Sequence, residues 1–196
     1  MKCEPAECSD GDLVALSLAG RDDAFAEIVQ RHREPIFRLV RGYVGNPEEA
    51  LDLVQESFIS AFKHLDRFDQ ERPFRSWLAR IAINKCRDWA RRRAVRRLLL
   101  LESWSSETIG LVPDPEPGAD QTAADRQELD HLWRAVAALP APLKETLILR
   151  TIEGLSQSET AAALGISEKA VETRLYRARR SLAALRPGAG LDKRRS

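Results

Sequence analysis

The sequence predicts an all-α protein: two small helical domains joined by a flexible linker. Three observations carry that expectation. Apolar residues recur at helical spacing through both halves, with no strand-like alternation. The acidic stretch Glu102 to Asp120 breaks this periodicity and places Pro113, Pro115 and Pro117 at alternate positions. Gly154 to Arg180 reads G-L-S-Q-S-E-T-A-A-A-L-G-I-S-E-K-A-V-E-T-R-L-Y-R-A-R-R, a helix, a tight corner and a second, basic helix. With 196 residues, 43% of them hydrophobic, the chain can bury one or two modest cores.

The elements follow in order. Phe25, Ile28 and Val29, then Phe37 and Val40, trace one helical segment, and Leu51, Val54, Phe58, Ala61, Phe62 and Leu65 trace the next. A third helix starts near Pro73, a residue suited to a first turn, and carries Phe74, Trp77, Leu78, Ile81 and Trp89 inward. From its end extends the run Arg91, Arg92, Arg93, Arg96 and Arg97. Past the linker come Leu129, Leu132, Trp133 and Val136, then Leu143, Leu147 and Ile148. In the final corner Ser156 caps one helix and Glu159 closes a capping box, with Ala161, Ala162 and Leu164 as its packing face. Gly165 ends that helix in the left-handed conformation, and Ser167 caps the last one. Val171, Leu175 and Ala178 face inward there, which leaves Lys169, Thr173, Tyr176, Arg177 and Arg180 on another face. Such a helix packs and enters a DNA groove at once. The expected boundaries are a tail over 1–10, a first domain over 11–100, the linker over 101–122, a second domain over 123–187 and a tail over 188–196.

The net charge is only +1, but it is unevenly placed. Acids dominate up to Glu56, bases from Arg72 to Arg97, acids again from Glu102 to Asp130, and bases from Lys169 onward. No apolar run approaches membrane-spanning length, and the N-terminus has no apolar core like that of a secretory signal, so a cytoplasmic protein without membrane insertion is expected. Cys3, Cys8 and Cys86 are odd in number and scattered, which argues for free thiols over a disulfide framework or a metal site, with a redox or metal-sensing role for Cys3 and Cys8 as the alternative. Carboxylates abound, yet no phosphate-binding glycine loop, metal-ligand cluster or nucleophile motif assembles them. No cofactor and no catalytic residue is expected.

Three motifs in this order resemble a bacterial RNA polymerase sigma factor of the extracytoplasmic-function group, and nearly the whole chain participates. Asn46 to Leu65, N-P-E-E-A-L-D-L-V-Q-E-S-F-I-S-A-F-K-H-L, is similar to the family's polymerase-binding helix, with its signature D-L-V-Q-E-x-F at Asp52 to Phe58. Phe74 to Arg93, F-R-S-W-L-A-R-I-A-I-N-K-C-R-D-W-A-R-R-R, resembles the helix that reads and melts the upstream edge of the minus-ten element. The C-terminal corner resembles the minus-thirty-five reader. The two domains would then be sigma regions 2 and 4. The longer aromatic-rich melting segment of housekeeping sigma factors is absent, which favours the compact group.

The resemblance implies core RNA polymerase, through the paired clamp helices of its largest subunit, and promoter DNA as partners, and an anti-sigma factor as regulator. Asp52, Gln55 and Glu56, spaced by three and four, share a helical face distinct from that of Leu51, Val54 and Phe58, so carboxylates and an amide there can meet arginines. For the minus-ten element, the loop Leu65 to Glu71 is where the family holds a flipped base, with Phe68 as stacking candidate and Asp69 beside it. Asn84 matches a DNA-contacting family position. Asn84, Lys85, Arg87 and Asp88 lie on or near the exposed side of the third helix, while Arg91, Arg92 and Arg93 hold phosphates. Trp77 is either core or a stacking platform. For the minus-thirty-five element, Arg174 and Arg177 match basic family positions, Ser167, Lys169 and Thr173 reach phosphates or base edges, and Tyr176 shares the exposed face. Glu172 departs from the basic residue of many relatives and suits a cytosine amino group. About twenty linker residues at roughly 3.3 Å each span at most about 65 Å, close to two duplex turns of roughly 35 Å, so both domains can reach one promoter. A free-standing helix-turn-helix regulator is the alternative; it leaves the Asp52 to Phe58 segment without a purpose.

Overall fold

The computed structural model describes residues 4–103 and 121–185. All regular structure among them is helical: α1 (Asp10–Leu18), α2 (Asp22–Val44), α3 (Pro47–Lys63), α4 (Phe74–Ser103), α5 (Gln121–Ala138), α6 (Ala141–Leu147) running into a π-helical turn (Ile148–Ile152), α7 (Gln157–Leu164) and α8 (Glu168–Leu185). Only the ends of the linker expected over 101–122 are described, and these belong to α4 and α5. The linker's interior, the tail expected over 188–196 and Cys3 lie outside the described residues.

Local chemistry accounts for the helix ends. Ser9 and Asp12 form a capping box on α1, a helix too short for periodicity to reveal in the sequence. Asn46 accepts from the amides of Glu48 and Glu49 at 2.8 and 3.1 Å, and Pro47 fills the first turn of α3. Gly45 closes α2 at φ 82°. In the C-terminal corner the expected capping box is present: the Ser156 hydroxyl accepts from the Glu159 amide at 3.1 Å, and the Glu159 carboxylate accepts from the Ser156 amide at 2.6 Å. Gly165 adopts the left-handed conformation, and the Ala170 amide donates to the Ser167 hydroxyl at 3.2 Å. Ser156→Ala is therefore expected to lower stability by about 1 kcal/mol in urea denaturation; an unchanged midpoint would show that the cap contributes nothing to the fold.

Two expectations near the N-terminus are corrected. The segment taken as a tail over 1–10 contains the turn Pro5–Glu7, fastened to α2 by Arg31, whose guanidinium donates to the carbonyls of Pro5, Ala6 and Cys8 at 2.9, 2.9 and 2.8 Å. Cys8 is disulfide-bonded and not a free thiol. An odd cysteine count does not exclude such a bond when one thiol, Cys86, is sealed in the core. Asp10 opens α1 and meets His32 of α2 at 2.9 Å. The hydrogen bond from His32 holds the Asp10 carboxyl below its ordinary value against the opposing effect of burial, with the charges of His32 and Arg31 adding to it. Its contribution to stability is present above the ordinary carboxylate value and is lost as pH falls through the lowered one. Asp10→Asn is therefore expected to destabilise at pH 7 and to match the parent chain well below about pH 4. Urea midpoints at both pH values check this; a constant gap would mean that the ion pair contributes nothing.

The core joins Ile28, Ile36, Leu39 and Val40 of α2, Leu53 and Phe58 of α3, and Leu78, Ala82 and Ile83 of α4. It continues without a break into Val136, Leu147, Ile148, Leu149 and Ala178 of the C-terminal half. Helix α2 packs on α3 and α4, and also on α5 and the π-helical turn, while α7 packs on both α4 and α8. Four expected inward residues point outward instead: Leu51 and Phe62 are 60% and 52% exposed, and Leu129 and Leu132 are 50% and 51% exposed. Ala162 is also exposed. Helix α3 has apolar residues on more than one face, and packing selects Ala50, Leu53, Ser57, Phe58 and Ala61 for the interior. The Ser57 hydroxyl sits there at no polar cost because it donates to the Leu53 carbonyl at 2.6 Å.

Candidate nucleic-acid interface

The residues expected to act on a partner fall on three surfaces. The first runs along α3. Asp52 and Gln55 are exposed, and Gln55 borders an open apolar groove of about 520 Å³ walled by Phe25, Val29, Leu51, Phe58 and Phe62. Arg33 and Lys63 also line it. Glu56 turns the other way, toward Arg92 of α4 at 3.6 Å. The outward face of Leu51 and Phe62 thus lies beside Asp52 and Gln55, whereas Glu56 joins a polar recess with Lys85, Asp88, Arg91 and Arg92.

The second surface is a cavity of about 760 Å³ between the loop after α3, the first turns of α4, and α7. Phe68, Asp69, Trp77 and Asn84 line it. Arg67, Arg72 and Arg80 line it too, and sequence reasoning passed over all three. The signal was available for one of them, because Trp77, Arg80 and Asn84 recur at spacings of three and four along one helical face. Phe68 is half-buried, its ring 5.2 Å from Phe74 and 5.5 Å from Trp77, so it forms the cavity wall and does not stand free in the loop. Trp77 packs at 5.4 Å on Phe74, as a core residue would, and also lines the cavity. Asp69 shapes the loop, accepting from the Glu71 amide at 3.1 Å and pairing with Arg72 at 3.2 Å.

Asn84, Lys85, Arg87 and Asp88 do not share one face. Asn84 is exposed at the cavity and accepts from Arg87 at 3.4 Å, whereas Lys85 and Asp88 lie in the recess with Glu56. Arg87 forms a two-pronged pair with Glu145 of α6 at 2.8 and 2.7 Å. Its guanidinium is held more basic than usual, first by that hydrogen bond and next by the charge of Glu145. Arg91 pairs with Asp88, and Arg93 pairs with Glu49 at 2.9 Å while lying over the Trp89 ring at 5.3 Å. These arginines are exposed and their pairs are weak, so phosphate can displace the carboxylates.

The third surface is α8. Val171 and Ala178 are buried and Leu175 is half-buried against the core; Lys169, Glu172, Thr173, Tyr176, Arg177 and Arg180 are exposed, with Arg174 half-exposed. Tyr176 is 67% exposed on that same face. Glu172 pairs with Lys169 at 2.8 Å, and the Thr173 hydroxyl is tied to the Lys169 carbonyl at 2.9 Å. Ser167 is occupied as the cap. Among the described residues no cluster of His, Cys, Asp and Glu is placed to hold a metal ion, and no helix is long and apolar enough to cross a membrane. The Cys86 thiol is fully buried and raised well above its ordinary value by that burial.

A basic helix set across a tight corner, beside a second surface where arginines surround an aromatic cavity, has the build of a helical nucleic-acid-binding protein. Comparison with known proteins gives the family. Residues 28–96 match the model of sigma-70 region 2, and residues 129–182 match that of sigma-70 region 4. The RNA polymerase sigma factor CnrH of Cupriavidus metallidurans is 42% identical over 182 residues, which cover 91% of this chain and 95% of that protein. The ECF RNA polymerase sigma factor SigW of Bacillus subtilis is 34% identical, covering 83% and 89%. The solved structure of CnrH in complex with the cytosolic domain of CnrY superimposes with a TM-score of 0.66 at 34% identity, covering 90% of this chain and 96% of that one. The chain belongs to the sigma-70 family of RNA polymerase sigma factors, in the extracytoplasmic-function group. It is a factor of transcription initiation whose partners are core RNA polymerase and promoter DNA.

Proposed function

We propose that three surfaces divide the work of initiation. Asp52 and Gln55, with Glu56 behind them, dock region 2 on the clamp helices of the largest polymerase subunit. Phe68, Asp69 and Asn84, with Arg67, Arg72 and Arg80 around them, capture a base that leaves the stack at the minus-ten element, while Lys85, Arg87, Asp88, Arg91, Arg92 and Arg93 align the strands. Ser167, Lys169, Glu172, Thr173, Arg174, Tyr176 and Arg177 read the minus-thirty-five element. Region 2 spans 11–100 and region 4 spans 123–187, joined by the linker 101–122. Chemistry belongs to the polymerase; the chain itself is no enzyme and works in the cytoplasm. An anti-sigma factor restrains it, by analogy with CnrH bound to CnrY.

The observation that carries this reading is the convergence of Phe68 and Trp77 with Arg67, Arg72, Arg80 and Asn84 on one surface of region 2, since an unstacked nucleotide is held by aromatic rings and cationic groups. Promoter-specific transcription by purified core polymerase from a genomic-fragment library tests it. Discrete new transcripts with the chain, lost with Asp52→Arg plus Gln55→Ala, are expected. Sequence-specific footprints without polymerase, and no new transcripts, would overturn the assignment of these surfaces.

A further inference from the structure

We propose that Lys169 and Glu172 act as one unit that reads a G·C base pair in the promoter's upstream element. This inference rests on the assignment of α8 to the minus-thirty-five element given above. It begins from a carboxylate in an unexpected place. Lys169, Glu172, Thr173 and Tyr176 are exposed and recur at spacings of three, four and seven from the first of them, so they form one stripe along α8. A helix lying in a DNA groove passes between two rows of phosphates, and an acid there is repelled unless a donor meets it. Helix stability does not account for Glu172 either. Glu168, at the first position of α8, suits the positive end of the helix dipole, whose influence falls off within the first turn. Glu172 lies one turn further on, at the spacing from Glu168 where like charges repel. Among the described residues its partner is the Lys169 ammonium at 2.8 Å; the two side chains are 81% (Lys169) and 60% (Glu172) exposed, so the pair adds little to folding stability.

The pair does have a complement in DNA. In the major groove guanine presents the acceptors O6 and N7, and its paired cytosine presents the N4 amino donor beside them. Lys169 and Glu172 set a donor beside an acceptor. The ammonium has protons to spare, so it donates to guanine while keeping its bond to Glu172, and the carboxylate accepts from cytosine N4 while keeping Lys169. Other bases fit the carboxylate worse. Adenine offers its N6 donor next to the N7 acceptor, which repels a carboxylate, and thymine and guanine turn only acceptors toward it. Toward the N-terminal end of the stripe, where such helices touch bases, the remaining hydroxyls are engaged with the backbone. The Thr173 hydroxyl donates to the Lys169 carbonyl at 2.9 Å, and the Ser167 hydroxyl accepts from the Ala170 amide at 3.2 Å. Lys169 and Glu172 are committed only to each other.

Sequence selection by holoenzyme tests this. One promoter found in the genomic-fragment assay has its upstream element randomised, and the DNA bound by holoenzyme is sequenced for the parent chain, Glu172→Ala, Glu172→Gln and Lys169→Ala. For the parent chain, one position is expected to hold a G·C pair, in one orientation, over each other pair by roughly 10- to 100-fold. Glu172→Ala is expected to flatten that position and no other. Glu172→Gln is expected to admit adenine in place of cytosine, because an amide both donates to N7 and accepts from N6. Lys169→Ala is expected to narrow the preference at the same position. A parent profile with no such position, or Glu172 variants whose profiles match the parent's, would overturn the inference. Whether the assignment of α8 also falls is read separately, from Arg174→Ala plus Arg177→Ala. An upstream footprint that persists in that variant would remove α8 from the element; its loss, with the Glu172 profiles unchanged, would sink the paired reader alone.

Discussion

Replacing Arg80 and Asn84 together by alanine is expected to reduce open-complex formation by on the order of 100-fold, since each base or phosphate contact of this kind contributes about 1–3 kcal/mol. Both side chains are exposed and line the cavity beside Trp77. Neither is part of the core, and alanine favours the helix, so little loss of folding stability accompanies the change. Binding through the minus-thirty-five reader remains, because α8 lies apart from the cavity lining. Permanganate reactivity of promoter thymines in the holoenzyme reports melting, and a footprint over the upstream element reports binding. Intact melting in the double variant would remove the cavity from the mechanism.

Leu78→Ala is expected to cost about 3–4 kcal/mol, the range for a leucine deleted from a core that cannot collapse onto the void. Leu78 is fully buried in the core shared by α2, α3 and α4. Helix α4 also carries Asn84 and the arginines proposed to meet DNA. Urea denaturation measures it; a loss below about 1 kcal/mol would mean that the core relaxes around α4.

A broad apolar face also explains where sequence reading slipped. Helix α3 offers Leu51, Leu53, Val54, Phe58, Ile59 and Phe62, more apolar surface than one interior stripe can use. Periodicity alone selected Leu51 and Phe62, and the structure leaves both outside beside Gln55. That residual surface is what a docking helix needs, so the misplacement and the candidate interface have the same cause. Helix α1 was missed because nine residues hold too few turns to show a period.

The local chemistry of the C-terminal corner was written in the chain. The capping box of Ser156 and Glu159, the left-handed Gly165, the Ser167 cap and the inward Val171 and Ala178 follow from side-chain geometry within a few residues, and the all-helical class follows from spacing. The motifs at Asp52 to Phe58 and Phe74 to Arg93 likewise pointed to the family without coordinates. Only the tertiary structure decided that Arg87 faces Glu145, that Glu56 faces Arg92, and that Arg67, Arg72 and Arg80 surround one cavity with Phe68. Arg87 and Glu145 are separated by 58 positions, and charge on a helix surface has no sequence rule for its distant partner. That pairing is set by how the two halves pack, through apolar contacts and excluded volume shared by α2, α4, α5 and α7.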